Sequence, residues 1–199
     1  MKKQSDSGFL NVGEVSIHFN RWPARNAQNV IFLHGMSSRS DTWEQVINEL
    51  DEIFDITAID LRGHGRSGHL AGYYKLEDYA KDIIDVIEKL EIAPVIVVGH
   101  SLGAMVAMEA FSRNQSLFRG QILEDPPIFG KEVMQSIDPD RFDGFVRLRD
   151  LVSRAFSKQR IEEVLSKQNP SFSYDQIKSM SDSVFPLDTD VLNHLIDKR

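Results

Sequence analysis

The chain contains no cysteine among its 199 residues. That absence excludes a disulfide framework, thiolate zinc sites and a cysteine nucleophile. No long run of Lys and Arg appears, and the net charge is −7 with a pI near 5.4, so nucleic acid and anionic membranes are not expected partners. No apolar run approaches the ~20 residues needed to span a bilayer. The opening Met1-Lys2-Lys3-Gln4-Ser5-Asp6-Ser7-Gly8 is polar where a secretory signal needs an apolar stretch, so a cytoplasmic location is the default expectation. No repeat or low-complexity tract is visible. The composition, 41% hydrophobic and 27% charged, is that of an ordinary globular protein and supports one domain, or one domain with an insertion.

The first two thirds of the chain alternate between two periodicities. Residues 9–22 alternate loosely around Gly13, as a β-hairpin does. Residues 30–33 (VIFL), 54–59 and 95–98 (VIVV) read as strands, the first and last as continuous apolar runs suited to burial on both faces, and 121–123 reads as a further short strand. Between them, 41–50, 76–90 and 102–111 carry apolar residues at helical spacing. The clearest is 76–90, where Leu76, Tyr79, Ala80, Ile83, Val86, Ile87 and Leu90 form one stripe opposite Asp82, Asp85, Glu88 and Lys89. Strands separated by helices predict a doubly wound, mostly parallel α/β sheet.

The pattern changes at Pro126-Pro127. From there on only helices are expected, at 140–156, 158–167, 174–183 and 189–198, with a Ser173/Gln176 capping box on the third and Asp188 or Thr189 capping the fourth. The expected organisation is therefore a core over 1–127 and a helical cap over 128–199.

Chemistry concentrates in Gly99-His100-Ser101-Leu102-Gly103, a G-x-S-x-G sequence with a buried strand before it and a buried helix after it. A residue on so sharp a strand-to-helix turn takes unfavourable dihedrals, and glycines two positions either side remove side chains that would collide. Ser101 is then raised above the carboxyl ends of the strands as a nucleophile. His34-Gly35-Met36 follows the strand ending at Leu33. Its position would supply the Met36 N–H, together with the Leu102 N–H, to a developing oxyanion, and Gly35 would let the backbone approach a substrate. His34 reads as a hydrogen-bonded organiser of the loop. In Asp60-Leu61-Arg62-Gly63-His64-Gly65-Arg66-Ser67-Gly68 the glycine spacing fits neither phosphate-loop signature, and a structural turn with Asp60 and Arg62 in local hydrogen bonds is expected.

Together these segments resemble the α/β-hydrolase fold family, in particular its capped small-molecule hydrolases, among them enol-lactone hydrolases, C–C bond hydrolases, carboxylesterases and cofactor-free haloperoxidases. Leu123-Glu124-Asp125-Pro126-Pro127 is similar to that family's sixth strand and its exit into the cap. The resemblance implies a cofactor-free hydrolase with no metal, in which Ser101 attacks a small ester or lactone and forms an acyl-enzyme. It disfavours the members that place Asp at the elbow. It also implies an acid and a histidine after the cap, on a seventh and an eighth strand, and no matching pair stands in this sequence. Asp125 is the candidate acid. Asp188 or Asp190 with His194 has the right order for a substitute pair, but both partners lie on one short helical segment. A fold without its last strands would leave the sixth strand as an exposed edge open to self-association. The rival readings are a ligand-binding pseudo-hydrolase and an inactive truncated product.

Overall fold

The computed structural model describes residues 5–127, 139–154 and 157–196, with side chains from 143 onward in the second of these segments. Six strands form one sheet: β1 (Asp6–Val12), β2 (Val15–Trp22), β3 (Gln28–Leu33), β4 (Phe54–Ile59), β5 (Val95–His100) and β6 (Phe118–Glu124), in the order β1-β2-β4-β3-β5-β6. The β1–β2 hairpin is antiparallel and joins β4 antiparallel, whereas β4, β3, β5 and β6 run parallel. The expected α/β architecture with a mostly parallel sheet is what the chain adopts.

Three helices cover the sheet: α1 (Glu44–Leu50), α2 (Leu76–Lys89) and α3 (Leu102–Arg113). Successive strand residues point to opposite faces, and β3 divides its side chains accordingly. Val30 and Phe32 pack with Trp43 and Ile47 on the α1 side, while Ile31 and Leu33 join the larger cluster with α2 and α3. Most of the stripe read on α2 is buried, with Tyr79, Ala80, Ile83, Val86 and Ile87 each at most 2% exposed and Leu76 and Leu90 partly buried, but Asp82, read on the opposite face, is buried as well at 3%. Burying side chains of this size stabilises by roughly 1.5–3 kcal/mol each for the larger ones. Residues 41–50 split into a 3₁₀ turn (Ser40–Trp43) and then α1.

The remaining described chain is helical: α4 (Pro139–Arg154), α5 (Lys158–Gln168), α6 (Tyr174–Val184) and α7 (Thr189–Ile196). Ser173 and Gln176 form the expected reciprocal capping box on α6, and Asp188 caps α7 by accepting the Asp190 N–H at 3.0 Å. These helices bury their apolar residues in two places. Ile161, Leu165, Ile177 and Val184 make a small cluster of their own, with Leu151, Val152 and Met180 against it. Leu187, Val191, Leu192 and Ile196 instead belong to the main core, and Phe145 packs against it. Leu148 touches both clusters. Phe156 and the Phe142 side chain, which with Phe145 and Leu148 are the apolar residues that the sequence offers for a pocket lining or for the cap's own core, lie outside the described residues. Among the described residues, β6 pairs on one side only, with β5, and its Ile122 is 59% exposed. No described helix is long and apolar enough to cross a membrane.

Candidate functional site

The elbow is built from backbone contacts. Ser101 sits between β5 and α3 with φ 49° and ψ −111°, a left-handed conformation that costs a residue with a side chain roughly 1–3 kcal/mol. The surroundings over-determine it. The Ser101 N–H donates to the Glu124 carbonyl on β6 at 2.9 Å, and the Ser101 carbonyl accepts from Ala104 and Met105, both at 3.1 Å. A Cβ on Gly99 would lie 2.4 Å from the Gly103 carbonyl oxygen, and one on Gly103 would lie 2.3 Å from that of Leu33. The turn closes only because both positions lack side chains.

The loop after β3 lies directly against this turn. A Cβ on Gly35 would stand 2.7 Å from His100 Nδ1 and 3.3 Å from the Ser101 Cβ. His34, fully buried, fixes the loop. Its Nδ1–H donates to the Gly35 carbonyl at 2.7 Å, and its Nε2 accepts the Leu61 N–H at 3.0 Å. A carbonyl can only accept and an amide N–H can only donate, so these partners set the ring as the neutral Nδ1–H tautomer. Burial keeps it neutral by lowering its pKa, against the opposing pull of the Gly35 bond. The Gly35 carbonyl also accepts the Ser38 N–H at 3.2 Å. In a trans peptide the C=O and the following N–H point opposite ways, so anchoring the Gly35 oxygen turns the Met36 N–H away from His34. Leu102 is the first residue of α3, and its N–H has no partner within the helix.

Asp60 organises the neighbouring loop. Its carboxylate accepts from the Ser40 N–H at 2.7 Å, the Arg66 N–H at 3.0 Å and His18 Nδ1 at 3.0 Å. Burial pushes its pKa up, but the His18 bond and the two amides outweigh that and hold the carboxyl well below its ordinary range. The expectation of local bonds for Arg62 is corrected. Its guanidinium forms a buried bidentate pair with Asp82 on α2, both bonds at 2.6 Å, and donates to the Tyr73 carbonyl at 2.9 Å. His18 had no assigned role in the sequence because its partner is 42 residues away; only strand register reveals the pair.

Asp125 follows β6 with φ 45°, exposed, one residue beyond the carbonyl that holds the Ser101 amide. The possible substitute acids are otherwise engaged. Asp188 accepts the Tyr74 hydroxyl at 2.5 Å, and Asp190 accepts the Gly72 N–H at 2.6 Å. His194 is half-buried on α7. Among the described residues the Ser101 hydroxyl makes no hydrogen bond to a histidine, and no group of three or more His, Asp or Glu side chains is placed to hold a metal ion.

Known proteins resemble the chain in sequence and in fold. The 2-(acetamidomethylene)succinate hydrolase of Mesorhizobium japonicum is 29% identical over 161 residues, 80% of this chain and 55% of that protein. A bifunctional esterase/perhydrolase of Acinetobacter calcoaceticus is 38% identical over 90 residues, 45% of this chain and 33% of that protein. The chain thus spans about half the length of the first relative and a third of the second. Among solved structures, an N-formylmaleamic acid deformylase of Pseudomonas putida superposes with a TM-score of 0.76 at 20% identity, covering 96% of this chain and 73% of that one. An epoxide hydrolase of Bacillus megaterium gives 0.76 at 21% identity over 96% of this chain and 71% of its own. A family model described as the alpha/beta hydrolase fold matches residues 28–173, and the chain belongs to that family.

Proposed function

We propose that this chain carries the nucleophile and the oxyanion site of a serine hydrolase acting on small esters or lactones. The observation that carries the reading is the strained Ser101 backbone, φ 49°, held between β5 and α3 with Gly35 packed against it. Strain of this kind persists where a reactive side chain must be presented.

In this reading Ser101 Oγ attacks the acyl carbon and the carbonyl oxygen becomes an oxyanion between the Met36 and Leu102 amides. The alcohol leaves, and water hydrolyses the acyl-enzyme. The positive end of α3 adds to the stabilisation. Gly35 lines the substrate side of the loop. Asp125 is the candidate acid, and the helices over 128–199 form a cap. The names of the two sequence relatives, a hydrolase and an esterase/perhydrolase, support hydrolysis at a carbonyl. The proton of Ser101 needs a base, and no described histidine is bonded to its hydroxyl. That same observation favours a second reading, a chain that binds an acyl ligand without turnover.

A fluorophosphonate probe separates the two. Stoichiometric labelling that disappears in Ser101→Ala supports an activated nucleophile. A folded chain that takes up no probe leaves only the binding reading. Esterase turnover that survives His194→Ala excludes that histidine as the base. Slow turnover alone would not require a complete triad, because an oxyanion site and binding can retain roughly 10³–10⁴-fold acceleration over water.

A further inference from the structure

A second serine, far from the elbow, stands in a hydrogen-bonded relay. Three adjacent strands build it. Phe9 on β1 lies opposite His18 on β2, so Ser7, two residues before Phe9, shares its face and is diagonal to His18. On the other side, Phe19 pairs with Ile59 and the Asp60 N–H donates to the His18 carbonyl at 3.0 Å, which brings Asp60 opposite His18. The side chains meet in sequence: Ser7 Oγ is 2.9 Å from His18 Nε2, and His18 Nδ1 is 3.0 Å from the Asp60 carboxylate.

The partners fix the protons. The Asp60 carboxylate can only accept, so His18 Nδ1 donates. Arg66 Nη1 lies 3.3 Å from His18 Nε2 and can only donate, so Nε2 accepts. Nε2 has a single lone pair, and the Ser7 hydroxyl at 2.9 Å is the nearer of the two donors that share it, the arrangement general-base catalysis requires. The ring cannot turn away. His18 is 1% exposed, Phe9 packs on it edge to face at 5.1 Å between ring centres, and its Nδ1 is held by the buried Asp60 carboxylate, while its backbone N–H donates to Ser67 Oγ at 2.9 Å. Ser7 and Arg66 are both exposed, so solvent reaches the hydroxyl and a cation stands beside it. With β1 four strand positions from β5, the two serines are separated by roughly 19 Å across the sheet, so this relay is independent of the function proposed for Ser101.

We propose that Ser7 is an acyl-acceptor site, with His18 as its base, Asp60 as the group that orients His18, and Arg66 selecting small anionic activated acyl donors of the acyl-phosphate class. In the transfer, a bond forms between Ser7 Oγ and the acyl carbon, and the bond from that carbon to the phosphate oxygen breaks. The hydroxyl proton passes to His18 Nε2 and from there to the departing phosphate. The products are an O-acylserine and inorganic phosphate, and nothing is oxidised or reduced. Arg66 holds the phosphate in a charge-assisted hydrogen bond, and exposed Phe9 offers an apolar wall to the acyl chain.

The test is to incubate the full chain and its Ser101→Ala variant with acetyl phosphate and to follow acetylation of individual serines by peptide mass spectrometry. Exposed Ser112 and Ser116 serve as internal references. Ser7 is expected to acetylate about 100-fold faster than either reference, in line with positioned general bases, and equally in both proteins. His18→Asn should bring it down to the reference rate. If that variant fails to fold, as judged by circular dichroism, Arg66→Gln takes its place. That change should slow acetyl phosphate and spare the neutral donor p-nitrophenyl acetate. A Ser7 rate equal to that of Ser112 in the folded chain overturns the proposal. So does an undiminished Ser7 rate in a folded His18→Asn variant, or phosphoserine in place of acetylserine.

Discussion

His34 and His64 illustrate how a buried histidine behaves when it serves the backbone. Their rings meet edge to face at 5.1 Å, both fully buried in the loops that follow β3 and β4. Burial, reinforced by the neighbouring His34, pushes the pKa of His64 down to about 3, although its bond to the Arg62 carbonyl at 2.9 Å works the other way. The consequence for stability has a definite sign. An unfolded chain protonates this histidine near pH 6.5, and the folded chain resists until about pH 3. The unfolded state therefore binds more protons within that window, and stability falls as the pH drops through it, by roughly 1.4 kcal/mol per pH unit for one such group. His64→Asn, which can still donate to the Arg62 carbonyl, should flatten the loss between about pH 6 and 4. Urea midpoints measured against pH check this, and parallel curves for the two proteins would mean His64 is not held neutral.

At the scale of elements, the loop from Asp60 to Tyr74 is fastened to α2 by charge. Arg62 and Asp82 are 6% and 3% exposed, and two bonds of 2.6 Å join them. Breaking such a pair from one side leaves an uncompensated buried charge, which costs about 3–5 kcal/mol. Asp82→Ala should lower stability by that amount in a denaturant titration. Adding Arg62→Met should restore much of it, because removing both charges also removes the desolvation cost. A loss below about 1 kcal/mol in Asp82→Ala would show that water reaches Arg62. Burial raises the Asp82 pKa while the guanidinium pulls it back, which marks the carboxylate as costly to keep ionised without its partner.

Across the whole molecule, the last described helix is anchored to the loop after β4 and to the main core, and it also packs on α4. The Tyr74 hydroxyl donates to Asp188 at 2.5 Å and accepts the Leu70 N–H at 3.1 Å, while the Asp188 N–H donates to the Gly63 carbonyl at 2.9 Å and Gly72 donates to Asp190. The loop after β4 thus grips the start of α7, and Val191 and Leu192 enter the main core. A hydrogen bond to a charged group contributes about 1.5–3 kcal/mol. Tyr74→Phe should therefore speed amide exchange over residues 189–196 by about tenfold or more, with little change in α5 or α6, whose apolar residues form a separate cluster. Unchanged exchange would assign the anchoring of α7 to its apolar contacts alone.

The local elements were legible in the sequence because their signals are local. The α2 stripe, the strand runs at 30–33 and 95–98, the Ser173/Gln176 capping box and the G-x-S-x-G turn each depend on residues within a few positions of one another, and periodicity, capping chemistry and glycine placement report them directly. Ser101 was placed on its turn for the same reason. The pairings of His18 with Asp60, Arg62 with Asp82 and Tyr74 with Asp188 span 42, 20 and 114 residues, and no spacing rule joins such partners. Strand register brought the first together, the packing of α2 on the sheet the second, and the return of α7 to the core the third. By itself the sequence determined the strand–turn–helix that strains Ser101, since glycines and short-range sterics suffice for that. Only the tertiary structure decided which buried charges and rings meet, because that depends on which distant segments the hydrophobic core draws side by side.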